Sequence, residues 1–292
     1  MRSEKEIIDL ILRFAHADDN IRAVVMNGSR VNPNAKKDPF QDYDIACLVR
    51  DVTPYRQNMS IPPFFGEMLV MQTPDDMGDA PTGNNDHYIF LMQFMDGNRI
   101  DLSFHSLAVM EEIISDSFSL VLLDKDGLVR PLPQPSDVDY FPKPPTAKQF
   151  FDCCNEFWWV TPYVAKGLWR DELTYAKCHL EIYLREKLLE MLAWYFGVRT
   201  GFQKAPGKMG KYLKGGLEPE LWALLERTYA DAAPEHTWDA LLAMGELFRV
   251  TGRRVAAEFG HNYPEQDDRR VTDFIREIRR LPRDAQTFEN RE

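Results

Sequence analysis

Asp42 and Asp44 stand two residues apart, preceded by the triplet Gly28-Ser29-Arg30 and followed much later by Asp101. Carboxylate oxygens are the preferred ligands of hard divalent cations. On an extended strand, residues two apart point to one side with about 6.5–7 Å between them, so Asp42 and Asp44 can converge on one ion. Asp101 belongs to the run RIDLSFH, in which Ile100, Leu102 and Phe104 alternate with Asp101 and Ser103. On a strand neighbouring the pair, it would bring a third acid to the same surface. Three acids so placed repel one another unless they hold cations, and Mg²⁺ carrying a nucleotide would relieve that repulsion. The Gly28-Ser29 turn allows close backbone approach to phosphate oxygens, Ser29 adds a hydroxyl, and Arg30 offers a two-pronged donor. Each piece is common by itself: most DxD pairs are solvated strand ends, and most Gly-Ser turns are only turns. Their order is the informative feature.

The elements that must position these residues read as alternating short strands and helices up to about Pro135. Ile21 to Met26 is a β-branched apolar run that feeds the Gly28 turn. Asp44 to Val49, Glu67 to Met71, Tyr88 to Phe94 and Arg99 to His105 supply further strands, and Met1 to His16 an amphipathic helix. Asn32 to Gln41 and Thr73 to Asp86 are rich in Pro, Gly, Asn and Asp and read as loops, the second long enough to cover a site. Six prolines between Pro131 and Pro145 mark a stiff linker. Beyond it the patterns turn helical, at Thr146–Leu168, Asp171–Phe196, Pro219–Ala230, Thr237–Phe259 and Arg269–Leu281. Residues 1–135 therefore read as one domain, 136–145 as the linker and 146–285 as a helical second domain.

The balance of 44% hydrophobic and 28% charged residues in 292 is that of an ordinary globular chain. The four cysteines, Cys47, Cys153, Cys154 and Cys178, form no CxxC pair and read as free thiols of a reducing compartment. Asp9 and Arg13 interrupt the first apolar run, so it is no signal peptide, and no stretch approaches the roughly 20 apolar residues of a membrane span. A cytoplasmic protein without a membrane partner is expected. The net charge of −11 disfavours nucleic acid and suits a polycationic small molecule.

The ordered set GS…DxD…D resembles the polymerase-β-like nucleotidyltransferase superfamily. More specifically, DPFQDYDI (38–45), the GSR triplet and CCNEFWWVTPYVAKGLWRDEL (153–173) resemble the aminoglycoside 6-adenylyltransferases, over about three quarters of the chain. The resemblance implies an α+β fold: a mixed nucleotidyltransferase sheet with flanking helices, followed by an all-helical domain. It implies transfer of AMP from ATP to a hydroxyl of streptomycin with Mg²⁺ as cofactor. Asp42, Asp44 and Asp101 would be the catalytic and metal-binding acids, and Gly28, Ser29 and Arg30 the phosphate-side turn. One departure is Pro33, which limits any helix after the turn to about one turn.

The helical domain would furnish the rest. Lys208 and Lys211 in APGKMGKYLKGG suit the triphosphate, or form a solvated basic patch. Glu156, Trp158, Trp159 and Tyr163 are candidates for the drug, since aromatic faces attract guanidinium groups. Trp158 and Trp159 are adjacent and cannot share a helix face, so one of them belongs to the core. Glu181 and Glu186 read as a solvated face, and His87 and His105 as packing or surface residues. A protein or tRNA acceptor is the alternative to streptomycin; the oligomeric state is open, with a monomer favoured.

Overall fold

The computed structural model describes residues 1–78 and 86–288. Residues 79–85, half of the second expected loop, lie outside the described residues. The chain forms two compact units, divided between Asp139 and Tyr140.

The first unit opens with helix α1 (Glu4–Ala17), started by a capping box between Ser3 and Glu6. Six strands follow in one mixed sheet: β1 (Ile21–Asn27), β2 (Tyr43–Val49), β3 (Met68–Gln72), β4 (His87–Phe94), β5 (Arg99–Ser106) and, after the short helix α2 (Met110–Ile114), β6 (Leu120–Asp124). Their order across the sheet is β3-β4-β5-β2-β1-β6, with β2 and β5 parallel and all other neighbours antiparallel. The alternation of the sequence becomes two faces. Tyr43, Ile45, Cys47, Ile100, Leu102 and Phe104 pack under Ile7 and Ile11 of α1 in the larger core. Ala23, Val25, Ala46 and Leu48 face the other way, where Ile114 of α2 covers them. Asp44 lies on the face of Ala46, and Asp101, Ser103 and His105 form the polar row of β5.

The second unit is helical: α3 (Ala147–Trp169), α4 (Leu173–Cys178), α5 (Arg185–Thr200), α6 (Pro219–Glu226), α7 (Pro234–Phe259) and α8 (Glu265–Arg280). The expected single helix over 171–196 is broken into three parts. Between α4 and α5, residues His179–Leu184 take a π-helical turn, which fits one extra residue without breaking the hydrogen-bond ladder. Leu180 and Leu184 remain buried through it. The core of this unit centres on Phe157 of α3 and Phe248 of α7, whose rings stack with centroids 3.8 Å apart. Among the described residues no helix is long and apolar enough to cross a membrane.

Phe248 is fully buried in this stack. Replacing it with Ala should cost about 3–5 kcal/mol of stability, read by urea denaturation. A loss below about 1 kcal/mol would show that the stack is not central to the helical core.

Candidate active site

The end of β1 and the starts of β2 and β5 meet at one rim of the sheet. Asp44 is in register with Asn27 on one side and with Asp101 on the other. Neighbouring strands lie about 4.8 Å apart, so the two carboxylates stand side by side. Asp42, one residue before β2, adds the third acid. The crowding shows in their protonation. Burial, then the negative charges of Asp101 and Asp42, push Asp44 up to about 6. Asp42 is raised as well, chiefly by burial, against the pull of Arg99.

Arg99 is a site residue that sequence reading passed over. Its Nε and Nη2 donate to the two oxygens of Asp101 at 2.7 and 2.8 Å, and its Nη1 lies 3.7 Å from Asp42 Oδ2. The available signal was its position, two residues before Asp101 and therefore on the same face of β5. With this guanidinium drawn onto Asp101, no three acidic, His or Cys side chains among the described residues form a ready-made metal cage. The donor set still suits a hard divalent cation: three carboxylates on one rim, one of them destabilised as an anion by burial and then by its neighbours.

Gly28 turns the chain away from β1 at φ +78°. A side chain here is excluded twice, because a Cβ would also fall 2.0 Å from Asp44 Oδ2. The Gly28–Arg30 turn is a single 3₁₀ turn, as Pro33 demands. Arg30 corrects the reading of a phosphate fork. Its Nη2 donates to the Gln41 carbonyl at 2.6 Å, its Nε to the Asp42 carbonyl at 3.3 Å, and its Nη1 to Glu4 Oε2 at 3.3 Å. Its guanidinium also lies 3.7 Å over the Tyr43 ring. All three donor groups are engaged, so Arg30 braces the segment that carries Asp42 and Asp44.

Asp44 and Asp101 open into a cavity of about 340 Å³ whose lining includes Ser103, His105, Glu112 and Asp116. His105, read from sequence as packing or surface, thus faces the same space as the acids.

The sequence profile described as "Streptomycin adenylyltransferase" matches residues 1–278. The chain belongs to this family. It is 38% identical to an aminoglycoside 6-adenylyltransferase of Campylobacter jejuni, over 94% of this chain and 95% of the relative. A Staphylococcus aureus enzyme of the same name is also 38% identical, over 94% of this chain and 98% of its own length. The crystal structure of an aminoglycoside 6-adenyltransferase from Bacillus subtilis matches with a TM-score of 0.47 at 34% identity, covering 96% of this chain and 99% of that one.

In this streptomycin adenylyltransferase family member, the helical unit separates the two tryptophans of α3. Trp158 is 2% exposed and packs edge-on to Phe157 and Phe248. It is a core residue, which removes it as a ligand contact. Trp159 is 64% exposed and, with the exposed Glu156 and half-buried Tyr163, lies on the solvent side of the helix. There Trp159 meets Tyr163 edge-on at 6.5 Å, and Tyr163 meets His179 of the π turn at 5.5 Å. Tyr175 and Tyr183 flank the same imidazole at 4.2 and 5.3 Å, extending the aromatic surface beyond the expected residues. Glu181 is paired with Lys177 and Arg185. Lys208 and Lys211 are exposed in a loop turned by Gly207 and Gly210, both at positive φ. Neither forms an ion pair among the described residues.

Asp44 carries a stability cost whose sign can be worked out. Its protonation midpoint is near 3.8 unfolded and about 6 folded, so the native state binds the extra proton between those values. Stability falls as pH rises through that window, and above about 6 the full penalty applies. Asp44→Asn should therefore raise stability at pH 7.5 in EDTA by about 3 kcal/mol, with the gain fading toward pH 4. Thermal denaturation across that range tests this; an equal gain at both pH values would refute the account by burial and neighbouring charge.

Proposed function

We propose that this protein transfers AMP from ATP to a hydroxyl of streptomycin, the aminoglycoside 6-hydroxyl, in a Mg²⁺-dependent reaction that inactivates the antibiotic. One observation carries the proposal: Asp42, Asp44 and Asp101 share a rim with the side-chain-free Gly28 turn, in a chain that matches the family nearly end to end. Asp42, Asp44 and Asp101 would hold the ion. When bound, Mg²⁺ would neutralise charge developing on the triphosphate.

The chain's own groups do the rest. Backbone N–H groups of the Gly28-Ser29 turn and the Ser29 hydroxyl receive phosphate oxygens, and Gly28 keeps that approach open. The drug hydroxyl oxygen attacks the α-phosphorus in line, its proton passes to an Asp101 carboxylate oxygen, and the bond to the departing pyrophosphate breaks. Arg99, which donates to both oxygens of Asp101, holds that carboxylate in place for the step. Lys208 and Lys211 serve as point charges for the triphosphate. Glu156, Trp159 and Tyr163, with the added rings around His179, offer the drug's cationic groups a partly wet aromatic face. We read residues 1–135 as the catalytic domain and 146–285 as the drug-binding domain, joined by the Pro-rich stretch 136–145. Buried, free Cys47, Cys153 and Cys154 support a cytoplasmic rather than a secreted chain.

Purified protein, streptomycin, ATP and Mg²⁺ should give a drug adduct heavier by one AMP in mass spectrometry, absent when EDTA is added. Asp42→Asn and Asp44→Asn should each reduce transfer at least about 1,000-fold with unchanged circular dichroism. An adduct formed equally by either variant would remove that residue from the metal assignment. No adduct from wild-type protein that binds ATP would redirect the search to a protein or tRNA acceptor.

A further inference from the structure

The cavity beside Asp44 and Asp101 continues along β5. Asp101, Ser103 and His105 alternate with core residues and so point to one side, at steps of about 6.5–7 Å, which sets His105 about 13 Å from Asp101. Glu112 of α2 and Asp116 beyond it line the cavity too, and no Lys or Arg does among the described residues. This space therefore has a reacting end at the acids and a far end at His105.

The hydrogen-bond pattern defines what His105 presents. Ser103 is buried and donates its only hydroxyl hydrogen to the Ile45 carbonyl at 3.0 Å. The 2.9 Å contact between Ser103 Oγ and His105 Nε2 is then filled by an Nε2–H donor. This assigns the tautomer and leaves Nδ1 as a bare acceptor. The ring of His87 lies 4.7 Å away, with its own Nδ1 3.3 Å from Asp75 Oδ1. Burial, then the neighbouring His87, lower His105 to about 4, so the far end offers a neutral imidazole. A neutral acceptor among acids repels triphosphate oxygens and suits a positively charged N–H donor.

We infer that His105, held in orientation by Ser103, is a specificity-determining residue that receives a cationic nitrogen group of the acceptor, a guanidinium or ammonium, while the reacting hydroxyl lies at Asp101. The inference rests on the proposed function, since it needs a cationic acceptor in this cavity. It adds a contact from the sheet unit to those expected of the helical one.

The test pairs kinetics with binding in the full-length protein. Calorimetry of streptomycin with wild-type protein in EDTA reads acceptor binding without turnover. Steady-state transfer with ATP saturating then compares His105→Phe, which keeps the ring volume, with His105→Asn, which keeps an acceptor near the Nδ1 position. His105→Phe should raise the streptomycin KM and Kd about 10- to 100-fold, the worth of a hydrogen bond to a charged group, with kcat and the ATP KM within about threefold. His105→Asn should recover most of that loss. Unchanged streptomycin affinity in His105→Phe, or equal losses in kcat and both KM values, would overturn the inference. Wild-type protein that binds streptomycin but forms no adduct would overturn the proposed function and leave the affinity comparison to judge His105. Absence of any streptomycin binding to wild-type protein would overturn both.

Discussion

The repulsion among Asp42, Asp44 and Asp101 is the constraint around which the first unit is arranged. Three carboxylates on one rim would splay or protonate if the chain around them could yield. It is held at every approach. Arg30 ties the segment before β2 to α1 through Glu4, and its guanidinium lies on the buried Tyr43 ring. Gly28 leaves room for the Asp44 side chain where any other residue would fill it. Arg99 sets a positive charge against Asp101. The geometry of the rim is thus set by the chain's own contacts.

That arrangement also explains the asymmetry of the sheet. The face under α1 is a closed aromatic and aliphatic core, with Phe104 stacked on Tyr55 at 3.8 Å. On the opposite face Ala23, Val25, Ala46 and Leu48 meet Ile114 of α2, with Val129 and Leu132 packed beside them. The polar side chains Asp101, Ser103 and His105 alternate with the core residues of β5, so packing and chemistry are divided along the same strand by its period of two.

Much of this was legible because strands with one buried face write their period into the sequence. The alternation of RIDLSFH placed Asp101 and Ser103 opposite the core residues, and the same alternation governs β4, where Tyr88, Phe90, Met92 and Phe94 are buried. The short apolar run DIACLV marked β2. Other features left weaker traces. β6 is an edge strand, LVLLD, mostly half-buried and without alternation, and the five-residue α2 is too short to show a helical period. Arg30 and Arg99 have chemically similar side chains, yet one braces backbone carbonyls and the other neutralises an acid; only tertiary contacts separate these roles. Trp158 and Trp159 were known to diverge, but which one faced the core depended on where Phe248 would pack. His105 sits one step past Ser103, at the end of the run, and its place in a cavity depends on α2, which was not read. A π turn has no simple sequence signature and was read as continuous helix.

That π turn has a consequence for how the chain can vary. An extra residue accommodated inside a helix shifts everything on one side of it by about 100° relative to regular α-helical spacing. Here it brings His179 against Tyr163 while Leu180 and Leu184 stay buried. Removal of a single residue between His179 and Leu184 would let the segment relax into an unbroken helix, and the two halves could no longer both keep their present faces. Length in this stretch is therefore as constrained as composition: its residue count is fixed by the surfaces on either side.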